Sequence, residues 1–285
     1  MLNLKTALIA GFAVVAAICS PAAAEEAHHN AVPEKQNWSF SGPFGTYDRA
    51  QLQRGYRVYR EVCSNCHSMK LMAFRNLADK GGPEFSEGQV KALAAEYKIK
   101  DGPNDAGEMF ERAGRASDYF PWTFANPEAA KAANGGALPP DMSVLAKART
   151  FHRCAYFPCD VANALWDVVT QYQEHGPDYI VGLLNGYADA PKGEEIAAGL
   201  NYNLVMPGNK IAMAKPLADG QVDYTDGTPK TAVQYSRDVA AFLMWTAEPK
   251  LEERKKVGFR AMVFLILFAT LMWFVKRRIW ADVAH

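Results

Sequence analysis

Residues Cys63-Ser64-Asn65-Cys66-His67 spell C-x-x-C-H, and that pentapeptide limits what the surrounding chain can become. It is the attachment pattern of a c-type haem. Positions i and i+3 of a helix face the same way, so both thiols reach the vinyl groups of one porphyrin and form thioethers. His67 comes next and offers a ring nitrogen to the iron as the proximal axial ligand. The cofactor expected is one covalent heme c, and a chain that holds such a haem with both axial positions filled moves electrons. Two other chemistries use C-x-x-C. Zinc ribbons need a second cysteine pair, which Cys154 and Cys159 supply only at an unusual spacing. A thioredoxin-like dithiol needs a βαβ context that this sequence does not display. The adjacent histidine and the export signal favour haem.

The two ends of the chain say where it works. Lys5 gives a positive start, Ala7 to Cys19 is apolar, and Pro21 with Ala22-Ala23-Ala24 makes a small-residue cleavage site. A signal peptide over 1–24 is expected, leaving Glu25 as the first mature residue. The competing reading, an uncleaved anchor, suffers from the shortness of the apolar run. Cys19 falls in the removed segment and leaves the cysteine count. At the other end, Ala261 to Val275 is uncharged, and Gly258 and Phe259 extend it across Arg260. That length just spans a hydrocarbon core, with Arg260 snorkelling to the interface. Trp273 and Trp280 suit an aromatic belt, and Lys276, Arg277 and Arg278 belong on the cytoplasmic side. Arg254, Lys255 and Lys256 weaken the asymmetry, but the signal peptide decides orientation. The expected organisation is an exported domain over 25–253, an anchor over 254–279 and a tail over 280–285. This places a single-pass protein in a bacterial inner (cytoplasmic) membrane, with the haem domain in the periplasm and the tail in the cytoplasm.

Net charge over the whole chain is zero, with 31 basic and 31 acidic residues. Eight of the basic residues but only Asp282 of the acidic ones lie outside 25–253, so the exported part carries −7. Such a surface steers a basic protein partner, or simply keeps the domain soluble. No nucleic-acid partner is expected.

Apolar spacing predicts mainly α-structure. A helix starts near Asp48 and runs into the haem motif, with Leu52, Tyr56, Tyr59 and Cys63 on one stripe. Gly55 lets another helix approach closely. Ser86 and Gln89 form a capping-box signature. Residues 99–140 and 185–230 read as largely irregular. Helices are expected from Asp160 to His175, ending at Gly176, from Pro177 to Leu184, and from Val233 to Trp245, with Pro249 a break or the first turn of the anchor helix.

An electron carrier needs a sixth iron ligand, commonly Met. Met69 and Met72 follow the motif too closely. Of Met109, Met142, Met206, Met213 and Met244, chemistry alone leaves Met206 and Met213 level, each in a Pro/Gly loop.

Longer landmarks go beyond a generic haem motif. They are Arg54-Gly55-Tyr56-Arg57-Val58-Tyr59 before the pentapeptide, Asn134 to Asp141 (NGGALPPD), Ala148-Arg149, Asp178-Tyr179, Gly186-Tyr187, Met206-Pro207-Gly208, Ile211-Ala212-Met213, Pro216-Leu217, and Phe242 to Trp245 with Glu248-Pro249 before the anchor. In this order, the chain resembles the cytochrome c1 family, membrane-anchored haem subunits of the cytochrome bc1 complex. The resemblance covers nearly all of the mature chain. It implies a class I cytochrome c-like exported domain with long irregular loops plus one C-terminal transmembrane helix. It implies Met213 as the axial methionine, Arg149 against a haem propionate, Tyr179 in the haem pocket, and Asn134 and Pro140 near the ring. It further implies electron transfer from the Rieske iron–sulfur protein, after quinol oxidation at cytochrome b, to a soluble or membrane-bound cytochrome c. The anchor then packs beside cytochrome b among membrane lipid, in a complex that is itself dimeric. Acid–base or nucleophilic catalysis on this chain is not expected. The enzymatic label would belong to the complex.

The family pattern is interrupted over 150–176 by an insertion carrying Cys154 and Cys159. In an oxidising compartment two nearby cysteines form a disulfide. His152 and His175 read as solvated loop residues, and His28 and His29 as a flexible start. Three rival readings stay open: an anchored haem subunit of another respiratory enzyme such as a terminal oxidase, a haem enzyme or sensor with an open iron site, and a zinc-stabilised module.

Overall fold

The computed structural model describes residues 30–281 apart from 152, 154–156 and 171. The expected signal peptide, His28, His29, His152, Cys154 and the last residues of the tail lie outside the described residues.

Helix α1 spans Arg49–Glu61. Asp48 caps it, its carboxylate accepting from the Gln51 backbone N–H at 3.2 Å. Leu52, Gly55, Tyr56, Val58 and Tyr59 are buried along one face. The helix does not continue through the haem motif as expected. It closes at Val62, and Cys63–Asn65 form a 3₁₀ turn, with Cys66 and His67 N–H groups both donating to the Cys63 carbonyl at 3.1 and 2.9 Å. The tighter turn keeps Cys63 and Cys66 in line, because i and i+3 eclipse at three residues per turn.

A second 3₁₀ turn, Phe74–Ala78, leads to α2, Glu87–Ala95, which carries the complete Ser86/Gln89 capping box. Strands β1 (Lys98–Asp101) and β2 (Phe110–Ala113) then pair antiparallel, Lys98 opposite Ala113 and Asp101 opposite Phe110. Helix α3, Pro127–Ala133, starts at Asn126 with Pro127 in its first turn. Helix α4, Leu145–Ala148, is a single turn.

The insertion is not one helix ending at Gly176. Helix α5 covers Phe157–Thr170 and a separate α6 covers His175–Asn185. Gly176 lies inside the first turn of α6, where a Cβ would fall 1.6 Å from the Ala146 carbonyl oxygen. Glycine is there for close packing on α4, not as a terminator. His175 is packed as well: its Nε2 lies 3.0 Å from Asp167 and its ring 4.3 Å from that of Tyr172.

Short strands β3 (Asn201–Tyr202) and β4 (Lys210–Ile211) form a second antiparallel pair. Helix α7, Ala232–Ala247, is capped by Thr231 and buried almost all round from Tyr235 to Thr246. It crosses α1, with the Phe242 ring 5.7 Å from Tyr56 and 6.0 Å from Tyr59. This is the close helix approach expected at Gly55, whose position lies against Asp238 and Phe242 of α7. The aromatic cluster extends through Phe120, Phe85 and Phe74.

Asp178 of α6 ties down the N-terminal segment. Its buried carboxylate accepts from the Gln36 N–H (3.0 Å), Trp38 Nε1 (2.7 Å) and the Tyr172 hydroxyl. After the break at Pro249, helix α8 runs Leu251–Ile279. From Ala261 to Val275 it is uncharged and exposed on every side. A helix of that length and composition suits a bilayer rather than water, and it anchors the chain to a membrane.

Candidate functional site

Three segments meet at the haem motif: the 3₁₀ turn itself, the Trp122–Thr123 loop, and the loop following α3 that ends at Pro140. The turn is held from two sides. Trp122 Nε1 donates to the Cys66 carbonyl at 3.1 Å, and the Thr123 hydroxyl donates to that of Ser64 at 2.9 Å. Cys63 and Cys66 are both free thiols and half-buried. Burial pushes the Cys63 thiol up to about 12, so it is not the low-pKa nucleophile that dithiol redox chemistry requires.

His67 Nδ1 lies 2.8 Å from the Pro140 carbonyl oxygen. A carbonyl only accepts, so Nδ1 carries the proton and Nε2 presents a lone pair. Burial depresses the imidazole pKa, which the contact with the Pro140 carbonyl and the nearby Asp141 partly offset, so the ring is neutral at pH 7. Pro140 is fixed by its neighbour. Asp141 accepts from the Ser68 hydroxyl (2.6 Å), the Lys70 N–H (2.9 Å) and the Ser143 N–H (2.9 Å). Burial opposes its charge, but the hydrogen bonds from Ser143, Ser68 and Lys70 prevail and hold the carboxyl below its ordinary value. Asn134 ends α3 and donates its amide to the Ala130 carbonyl at 2.7 Å. Gly135 and Gly136 follow with φ of +60° and +89°, a left-handed pair that sends the chain toward Pro140.

The two candidate methionines occupy different places on the hairpin. Met206 sits in its turn, and its sulfur accepts from the Tyr179 hydroxyl at 3.7 Å. Met213 follows β4, half-buried, against the same core cluster that Cys63 and Val62 pack on. Its backbone carbonyl accepts from the Tyr187 hydroxyl at 3.0 Å and the Asn201 amide at 3.3 Å. Its thioether has no hydrogen-bond partner among the described residues. The hairpin is fastened by Asn203, which is fully buried. Asn203 accepts from the Val205 and Met206 N–H groups at 3.0 and 3.1 Å and donates to the Leu183 carbonyl at 2.8 Å. Sequence reasoning missed Asn203, Asn201, Trp122 and Thr123. Arg149 ends α4, exposed, and its positive charge lowers the pKa of Tyr179, which burial otherwise raises. It forms no ion pair among the described residues.

This donor set fits a c-type haem: two unpaired thiols one tight turn apart, a histidine with only Nε2 free, a thioether without a partner, and an arginine without a carboxylate. It does not fit zinc. Among the described residues no three His, Cys, Asp or Glu side chains gather, and Cys159 is disulfide-bonded.

Comparison with known proteins agrees. Residues 38–283 match the model of the Cytochrome C1 family. The chain belongs to the cytochrome c1 family. It is similar to "Cytochrome b/c1" of Bradyrhizobium diazoefficiens, 56% identical over 251 residues, which is 88% of this chain but 36% of that protein. It is 44% identical to "Cytochrome c1" of Blastochloris viridis, covering 99% of this chain and 98% of the relative. It is 42% identical to "Cytochrome c1 1, heme protein, mitochondrial" of Arabidopsis thaliana, covering 95% and 79%. Proteins of the cytochrome c1 family carry c-type haem and are the haem subunit of the bc1 complex. Membership sets aside the terminal-oxidase reading.

Proposed function

We propose that this chain carries single electrons within a bc1 complex, accepting them from the Rieske iron–sulfur protein and passing them to a soluble or membrane-bound cytochrome c. The observation that carries the reading is His67, whose Nδ1 is occupied by the Pro140 carbonyl at 2.8 Å, which leaves Nε2 as the nitrogen free to ligate a metal. In this reading Cys63 and Cys66 hold the haem as thioethers, and His67 and Met213 are the axial ligands. Asn134, Pro140, Arg149 and Tyr179 line the pocket, with Arg149 against a propionate. A bound c-type haem supplies reversible one-electron chemistry, and a His/Met ligand pair favours a high potential. The protein's own part is static. Pro140 and Asp141 fix the imidazole, Tyr187 and Asn201 fix the Met213 backbone, and the aromatic core excludes water.

The signal peptide over 1–24 is removed, the domain over 25–253 is periplasmic, and the anchor over 254–279 lies beside cytochrome b. The tail over 280–285 is cytoplasmic, and the assembly is a dimer. Cys154 and Cys159 pair within the insertion over 150–176.

The test is rapid mixing of quinol with membranes that hold the chain, followed at the c-type α-band. Reduction should need the Rieske protein, and added oxidised cytochrome c should reverse it. A band reduced equally fast without the Rieske protein contradicts the reading.

A further inference from the structure

Away from the haem motif, a cavity of about 200 Å³ opens where α8 leaves the exported domain. One wall is the segment around Phe44, and the other is the α8 face bearing Lys255, Lys256, Phe259 and Arg260. The uncharged run of α8 begins at the next residue, Ala261, so the cavity sits at the level of lipid headgroups.

Its charges are unequal in availability. The Glu252 carboxylate is already matched, taking two bonds from Arg49 at 2.7 and 3.1 Å and one from the Tyr47 N–H at 3.0 Å. Lys255 is tied inward, donating to the Phe40 carbonyl at 2.6 Å. Lys256 and Arg260 stand one helical turn apart on the same side of α8. Both are exposed, and neither makes an ion pair or hydrogen bond among the described residues. Beside them an aromatic pair bridges the two walls: Phe44 and Phe259 meet edge-on at 5.4 Å, yet remain 72% and 54% exposed. A cationic cavity rimmed by exposed aromatic rings at headgroup depth matches a ligand with an anionic head and an apolar tail.

We infer that this cavity binds the headgroup of an anionic glycerophospholipid from the leaflet on the haem-domain side. Lys256 and Arg260 take the phosphate, and an acyl chain lies against Phe44 and Phe259. The inference rests on α8 being a membrane anchor.

The test uses full-length, haem-loaded chain extracted from membranes in mild detergent with whatever it assembles with. Tightly held phospholipid is counted by class per haem, for wild type and for Lys256→Gln/Arg260→Gln. Each charge is worth roughly five-fold in lipid affinity, so the double variant should lose about 25-fold, with its haem spectrum intact. Millimolar inorganic phosphate should not displace the lipid from wild type. Equal anionic lipid in both proteins overturns the proposal, as does equal retention of zwitterionic lipid. Displacement by phosphate alone, or cross-linking of the cavity to a polypeptide in place of lipid, overturns it too. Alkaline carbonate separates the two levels of failure: a wild-type chain that it washes off the membrane refutes the anchor itself.

Discussion

Gly55 of α1 lies directly on Asp238 of α7: a Cβ at Gly55 would stand 2.1 Å from the Asp238 carbonyl oxygen and 2.7 Å from the Phe242 Cβ. The preceding residue closes on the same aspartate. Arg54 Nε donates to the buried Asp238 carboxylate at 3.0 Å, which also accepts from the Tyr224 hydroxyl at 2.9 Å and the Gln234 amide at 2.8 Å. A glycine contact and a buried ion pair thus fix the helix that leads into the haem motif against the helix that precedes the anchor.

Gly55→Ala should therefore push these helices apart. The contacts that block the methyl are backbone and a Cβ, which cannot swing away. Overpacking of this kind costs about 1–3 kcal/mol or more. Haem-stained protein in membranes should fall, and the thermal midpoint of what remains should drop. Wild-type levels and midpoint in the variant would refute this close packing.

Asp141→Ala removes the acceptor that holds the Pro140 segment on Ser68, Lys70 and Ser143. Losing hydrogen bonds to a charged group costs about 2–3 kcal/mol, read as a lower urea midpoint. Covalent haem should persist, because Cys63 and Cys66 are untouched, while the His67 ring loses its rigid orientation. A changed midpoint potential and a broadened α-band are expected. An unchanged urea midpoint would show that Asp141 does not hold this loop.

Asp118 gives a pH dependence with a defined sign. The Arg112 guanidinium, donating at 2.6 and 3.0 Å, and the Arg115 N–H depress its carboxyl to about 2. A depressed carboxylate stabilises the fold above its unfolded value of about 4, and that contribution is lost as pH falls toward 2. Wild type should be more stable than Asp118→Asn at pH 6, with the gap closing between about pH 4 and pH 2. Denaturant midpoints across that range check it. A gap that widens on acidification contradicts the assignment.

The short loop between Cys154 and Cys159 should contribute about 2 kcal/mol through chain entropy if closed by a disulfide. The double Ser variant should unfold at lower urea and show no change in the haem spectrum. Thiol labelling of the unfolded, unreduced wild type should find no reactive group at either position, and labelling there would disprove the pairing.

Much of this was legible in the sequence because it is local. Asp48 and Ser86 announce their helices through side chain-to-backbone bonds three residues away, and the stripe of Leu52, Tyr56 and Tyr59 reveals the buried face of α1. Gly176 was misread because a glycine that permits close packing looks the same, in sequence, as one that ends a helix. The β1–β2 pair went unseen because Lys98–Asp101 and Phe110–Ala113 are largely exposed and carry no apolar alternation. Asn203 and Trp122 were invisible because their partners, Leu183 and Cys66, are distant in sequence. The choice between Met206 and Met213 needed resemblance, since both sit in similar loops. In the structure the Met206 sulfur accepts from the Tyr179 hydroxyl, whereas the Met213 thioether has no hydrogen-bond partner among the described residues.

The most direct test of the account is a redox titration of membranes carrying wild type, Met213→Leu or Met206→Leu. If Met213 is the sixth ligand, Met213→Leu keeps its covalent haem but loses the high potential, by on the order of 0.1 V or more, while Met206→Leu titrates close to wild type. An unchanged potential and spectrum in Met213→Leu, or a collapse confined to Met206→Leu, would contradict it.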